Sequence, residues 1–220
     1  MSLYSHLFFD LDGTLTDPKI GITKSVRCAL RHFGIRVDSL DELERFIGPP
    51  LRDSFREFYG FDAKQTEEAV AKYREYFLEQ GIYENTLYPG MDDLLKNLYE
   101  QGKTLAIATS KPTMMAEKVL DYFHLRDYFT FISGAEMDGR RSAKRELLLY
   151  AFAYTGISNP NRRDCLMIGD RKHDILGARA VGIGSVGAAY GYGGRMELAE
   201  AGAAYIVENV EEMSRLLLAL

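Results

Sequence analysis

The sequence predicts an open, doubly wound α/β layer, in which a parallel sheet is covered by helices on both faces and a helical segment follows the first strand. Three observations predict it. Short, continuous apolar runs alternate with segments whose apolar residues recur at helical spacing. The runs lack the apolar/polar alternation of a sheet with one wet face, so both faces should be covered. From Asp17 to about Leu87, strand-like runs stop altogether.

In order along the chain, the first strand is the run Leu7 to Phe9, which ends in Asp10 and, beyond the apolar Leu11, in Asp12 before Gly13 and Thr14 turn the chain. The next stretch is helical, with Ile22, Val26, Ala29, Leu30 and Phe33 on one face and Val70, Tyr73 and Phe77 on another. Its hinges are Thr16-Asp17-Pro18 and residues 85–90, which include Pro89-Gly90. The expected division is a core of residues 1–16 and 88–220 and a helical cap of residues 17–87, poised over the carboxyl edge of the sheet where open α/β sheets bind ligands. Met91–Gln101 carries Leu94, Leu95 and Leu98 at helical spacing. Strands follow at 104–109, 128–133, 165–170, 183–188 and 204–209, with helices at Thr113–Phe123, Ser142–Thr155 and His173–Val181. The last segment puts Val210, Met213, Leu216, Leu217 and Leu220 on one helix face.

Composition narrows the function. A net charge of −5 and a pI near 5.5 argue against a nucleic-acid polymer or an acidic membrane as partner. Neither a basic leader nor an apolar run of about 18 residues is found, and the two cysteines, Cys28 and Cys165, lie far apart without a CxxC, which reads as buried, reduced thiols of a cytoplasmic protein. No heptad run points to a coiled coil, and a monomer or homodimer is expected.

Chemistry gathers at the carboxyl ends of the strands. The first ends in Asp10 and Asp12, the second in Thr109-Ser110-Lys111, and a later one in Gly169-Asp170, with Asp174 four residues on. Residues two apart in an extended chain face the same side, so Asp10 and Asp12 can share a crevice while Leu11 packs away. A lone Asp after a strand is commonly a helix N-cap. Acids at successive strand ends of one sheet are harder to explain as caps, and their mutual repulsion calls for a hard cation, Mg²⁺ by default.

DLDGTLTD, ATSKP, Lys144 ahead of a helical pattern, and IGDRKHDILGA resemble, in order, the four motifs of the haloacid dehalogenase-like superfamily, whose core is a Rossmann-like sheet. FIGPPL (46–51), LYPGM (87–91) and YGYG (190–193) are most similar to its phosphoglycolate phosphatase-like branch with a small helical cap. The resemblance implies a Mg²⁺-dependent phosphatase acting on a small phosphorylated metabolite, phosphoglycolate or a nucleoside monophosphate first. It implies that Asp10 is the nucleophile and Asp12 the proton shuttle. Mg²⁺ would be held by Asp10, the Asp12 carbonyl, Asp170 and Asp174, and the phosphoryl group by Thr109, Ser110 and Lys144. An aspartate at position 12 sets the chain apart from dehalogenases and transport ATPases of the superfamily, which lack one there. The chain departs from many relatives at Arg145, where proline often follows the lysine, and Lys111 and Arg141 compete with Lys144 for its role. A sugar phosphomutase and a non-catalytic binding protein on the same fold are the alternatives.

Substrate contacts are expected from the cap. Arg45, Arg52, Arg56, Lys19, Lys24 and Arg27 are the candidates, with Arg52 ahead because it follows the Gly48-Pro49-Pro50 turn. Other signals lead elsewhere. Gly182 to Gly187 satisfies GxGxxG but follows a helix and occupies a strand, contrary to a dinucleotide fingerprint, and no P-loop exists. The four histidines lack ligand spacing, though His173 lies between Asp170 and Asp174. Tyr73, Tyr76, Tyr83 and Tyr88 read as packing.

Overall fold

The structure, a computed structural model, describes residues 4–157 and 159–220. A six-stranded parallel sheet forms its core. Its strands are β1 (His6–Phe9), β4 (Thr104–Pro112), β5 (Phe129–Ala135), β6 (Cys165–Gly169), β7 (Gly184–Ala188) and β8 (Tyr205–Val207), in the order β5-β4-β1-β6-β7-β8. β1 is central, and its alternating side chains separate two cores. Leu7 and Phe9 pack with α4 (Met91–Glu100), α5 (Thr113–Tyr122) and α9 (Val210–Ala219). Phe8 packs on the other side with α6 (Lys144–Thr155) and α7 (Lys172–Val181). All three side chains are at most 1% exposed, which is why the run shows no alternation. In register, Phe9 stands opposite Ile107 of β4 and Ile168 of β6, so the chain emerges at Asp10 level with Ala108 and Gly169 and next to Thr109 and Asp170.

Between β1 and α4 the chain builds α1 (Lys19–His32), a 3₁₀ turn (Leu40–Phe46), α2 (Leu51–Tyr59), α3 (Ala63–Tyr76) and a π turn (Phe77–Gly81). Asp62 caps α3 by accepting from the Gln65 N–H while the Gln65 side chain accepts from the Asp62 N–H. Ile22, Val26, Ala29 and Leu30 pack with Val70, Tyr73 and Phe77 in one buried cluster, the two faces read from periodicity.

The structure corrects the sequence reading in several places. Thr16–Asp17 (β2) and Thr86–Leu87 (β3) pair antiparallel at the foot of the helical segment, where no strand was expected, since two residues carry no periodicity. β4 continues to Pro112 rather than stopping at Thr109, with a register irregularity between those residues. A helix, α8 (Gly194–Ala201), forms where none was expected, because only Leu198 and Ala201 of it are buried. Cys165 is buried, but Cys28 is exposed, lying off the stripe through Val26, Ala29 and Leu30 that α1 buries. No helix among the described residues is long and apolar enough to cross a membrane.

Candidate active site

Asp10, Asp170 and Asp174 converge, with ligand oxygens within 4.8 Å of one another. β1 and β6 deliver the first two side by side, and the first turn of α7 brings the third. Glycines make the room. A Cβ on Gly169 would stand 2.1 Å from the Asp174 carboxyl carbon, and one on Gly13, whose φ of +83° already suits glycine, 2.3 Å from an Asp170 oxygen. The YGYG loop then closes over Asp170. The Tyr192 N–H donates to Asp170 Oδ2 at 2.8 Å, the Gly193 N–H donates to its carbonyl, and the Thr14 hydroxyl reaches Oδ1 at 3.2 Å.

Lys144 enters this group from the start of α6, with its stem running over Gly177. Its Nζ lies 3.0 Å from Asp10 Oδ2 and 2.7 Å from Asp174 Oδ1, and donates to the Ala108 carbonyl at 2.7 Å. Lys111 and Arg141 lie elsewhere. Lys111 donates to both oxygens of Asp12 at 2.7 and 2.5 Å and sits 5.0 Å above the Phe77 ring. Arg141 pairs with Glu136 at 2.7 Å and stacks on Tyr150. The two acids at the end of β1 therefore have different partners: Asp10 belongs to the acidic group, and Asp12 faces Lys111.

Burial sets the electrostatics. It raises the Asp170 pKa well above the ordinary carboxylate value, with Asp174 and Asp10 adding to the effect. It pushes Asp174 to about 6, with Lys144 opposing and Asp10 reinforcing. The Asp12 pKa is raised by burial too, in part countered by Lys111. Burial opposes the charge on Lys144, but Asp10 and Asp174 more than compensate and its pKa is raised. Three buried carboxylates around one ammonium leave an excess of negative charge. An all-oxygen donor set with that excess fits a hard divalent cation such as Mg²⁺. The Asp12 carboxylate is engaged by Lys111 and stands outside the group.

Beside the acids lies a cavity of about 200 Å³. Its floor includes Asp10, Asp12, Thr109, Ser110 and Lys111, and its roof comes from the helical segment, with Phe46, Leu51, Tyr73 and Phe77 prominent. Thr109 is buried and its hydroxyl accepts from the Lys111 N–H at 3.3 Å, while Ser110 Oγ donates to the Ser142 carbonyl at 2.9 Å. Of the six cap cations expected to meet a substrate, Arg52 and Arg56 line this cavity. Lys19 pairs with Asp41 and Glu44, Lys24 with Glu84, and Arg45 stacks on Phe58, while Arg27 is on the exposed side of α1. The sequence reading missed Arg74 on α3, which lines the cavity and donates to the Met137 carbonyl at 2.6 Å. Its place next to the buried Tyr73, on the face that α3 turns inward, was the available signal.

A family model described as haloacid dehalogenase-like hydrolase matches residues 7–188. The chain belongs to that family. As a member it is a hydrolase, with the family's α/β architecture. A 5'-nucleotidase of Pseudomonas aeruginosa is 46% identical over 89% of this chain and 87% of its own. The tyrosine-protein kinase PtkA of Mycobacterium tuberculosis is 39% identical over 85% of this chain, which spans 62% of the kinase. A crystal structure described as a predicted phosphatase from Clostridium acetobutylicum superposes with a TM-score of 0.95 at 44% identity, covering all of both chains.

Proposed function

We propose that the protein is a Mg²⁺-dependent phosphatase that hydrolyses a small phosphate monoester through an aspartyl-phosphate on Asp10. The observation that carries this reading is the division between the two acids of β1, one held in the acidic group by Lys144 and the other facing the cavity beside Lys111. An oxygen of Asp10 forms a bond to phosphorus as the ester P–O bond breaks, and Asp12 gives its proton to the departing oxygen. Burial, which raises the Asp12 pKa, favours the protonated form this step requires. Asp12 then takes a proton from water, whose oxygen attacks phosphorus and breaks the bond to Asp10, releasing inorganic phosphate. Thr109, Ser110 and Lys144 would cradle the phosphoryl oxygens. Mg²⁺ held by Asp10, the Asp12 carbonyl, Asp170 and Asp174 would offset the repulsion between carboxylate and phosphoryl group.

Residues 17–87 act as a cap in this reading and residues 1–16 and 88–220 as the catalytic core. Asp10 is 4% and Asp12 8% exposed beneath the helical segment, so the substrate must be small enough to enclose. Both candidates from the motif resemblance, phosphoglycolate and a nucleoside monophosphate, satisfy this, and the second also matches the name of the Pseudomonas relative, a 5'-nucleotidase. The deciding experiment is release of inorganic phosphate from a panel of monoesters with and without Mg²⁺, with Asp10→Asn as control. Mg²⁺-dependent release lost in Asp10→Asn is expected. A sugar phosphate converted to an isomer with little phosphate released would instead make the protein a mutase.

A further inference from the structure

Three arginines stand on the cap side of the cavity, Arg52 and Arg56 on α2 and Arg74 on α3. An arginine fork open to such a cavity would be its receptor for a carboxylate or second phosphate, because two parallel N–H groups match two anionic oxygens. The fork of Arg52 is already filled. Its Nε donates to Glu67 Oε1 at 2.6 Å and its Nη2 to Glu67 Oε2 at 2.7 Å. The arginine side chain is only 17% exposed, while Glu67 stands 57% exposed on α3, so the acid reaches in from solvent to hold the half-buried base. The Arg52 pair holds the Glu67 carboxyl below its ordinary range against the effect of desolvation, and Arg74 and Arg56 act in the same direction.

Of the other three cations lining the cavity, Arg74 and Lys111 have hydrogen-bond partners. Arg56 faces Asp53 at 3.8 Å, Arg74 donates to the Met137 carbonyl, and Lys111 to Asp12. Flat and apolar surface is what the cavity still offers a leaving group, from Phe46, Tyr73, Phe77 and Met115, with Tyr73 and Phe77 stacked 5.2 Å apart.

We propose that Glu67 determines the substrate class: by occupying the Arg52 fork it makes the cavity select monoesters with a flat, uncharged leaving group, a nucleoside, over short esters that end in a carboxylate. The inference rests on the phosphatase reading and narrows it. Binding tests it without turnover. Isothermal titration of Asp10→Asn with uridine 5'-monophosphate and with phosphoglycolate is expected to give at least tenfold tighter binding of the nucleotide. Adding Glu67→Ala frees the fork and should tighten phosphoglycolate about tenfold while moving the nucleotide less than about threefold. Adding Arg52→Gln as well should abolish that gain. Equal binding of the two ligands by Asp10→Asn overturns the proposal, and so does a phosphoglycolate affinity that Glu67→Ala leaves unchanged or that stays high without Arg52. The first comparison stands even if the Glu67 variant does not fold. Loss of the phosphatase reading is seen separately, as no phosphate release by the wild-type chain from either ligand, and the expected binding pattern would then still support the role of Glu67.

Discussion

At the scale of single residues, the two lysines of the site cannot be exchanged. Lys144 pairs with two of three buried carboxylates, and removing one partner of a buried ion pair costs roughly 3–5 kcal/mol because the other charges stay behind. Lys144→Met is therefore expected to lower stability to urea by that order and to reduce phosphate release at least a hundredfold. A folded variant with near-wild-type turnover would remove Lys144 from the reaction. The helical apolar spacing that follows Lys144 favoured it over Lys111 in the sequence. Lys144 and Lys111 each follow or precede an element boundary, and what separates them in space is the irregular end of β4, which turns Lys111 toward Asp12. Glu67 was hidden, as one acid among several on a polar helix face; its partner, fifteen positions away on α2, becomes its neighbour only when α2 packs on α3.

At the scale of elements, the helical segment is tied to the core by guanidinium-to-carbonyl bonds running in opposite directions. Arg74 of α3 reaches the Met137 carbonyl, and Arg171, just before α7, reaches the Ile47 carbonyl at 2.7 Å while also pairing with Glu197. Gly48 lies so close to the Arg171 stem that a Cβ there would approach to 2.8 Å. A hydrogen bond to a charged group contributes about 1.5–3 kcal/mol, roughly tenfold or more in a local opening equilibrium. Arg171→Met should accordingly speed amide exchange in the 3₁₀ turn Leu40–Phe46 about tenfold and leave α4 and α9 as in the wild type. Faster exchange everywhere, or nowhere, would refute this tie. The elements themselves were largely legible. Continuous apolar runs marked the core strands, and helical spacing marked α1, α4, α5 and α9, because burial on one or both faces writes a period into the sequence. α8 and the β2–β3 pair escaped because each is short and buries too little to leave such a trace.

At the scale of the whole molecule, a charge of −5 is spread over the chain, but its costly part is concentrated in three buried carboxylates. The pKa values of Asp170 and Asp174 are raised in the folded state, Asp174 to about 6, by burial first. Between about pH 4 and 6 the folded protein therefore binds more protons than the unfolded chain, and stability falls as pH rises through that window. Lys144 acts differently, since its raised pKa contributes stability that persists through neutrality and is lost only in the alkaline range. A divalent cation among the carboxylates should offset the deficit once they are ionised. At a hundredfold excess over its Kd, such an ion adds about 2.7 kcal/mol, which for a chain of this size is on the order of 5–10 °C in Tm. The metal-free protein is thus expected to lose Tm from pH 4.5 to 7. The increment from Mg²⁺ should be near zero at the acid end and largest above pH 6, and Asp170→Asn should abolish it. Thermal melts across pH, with and without Mg²⁺, check this. An increment that does not vary with pH, or that survives in Asp170→Asn, would place the cation elsewhere on the molecule.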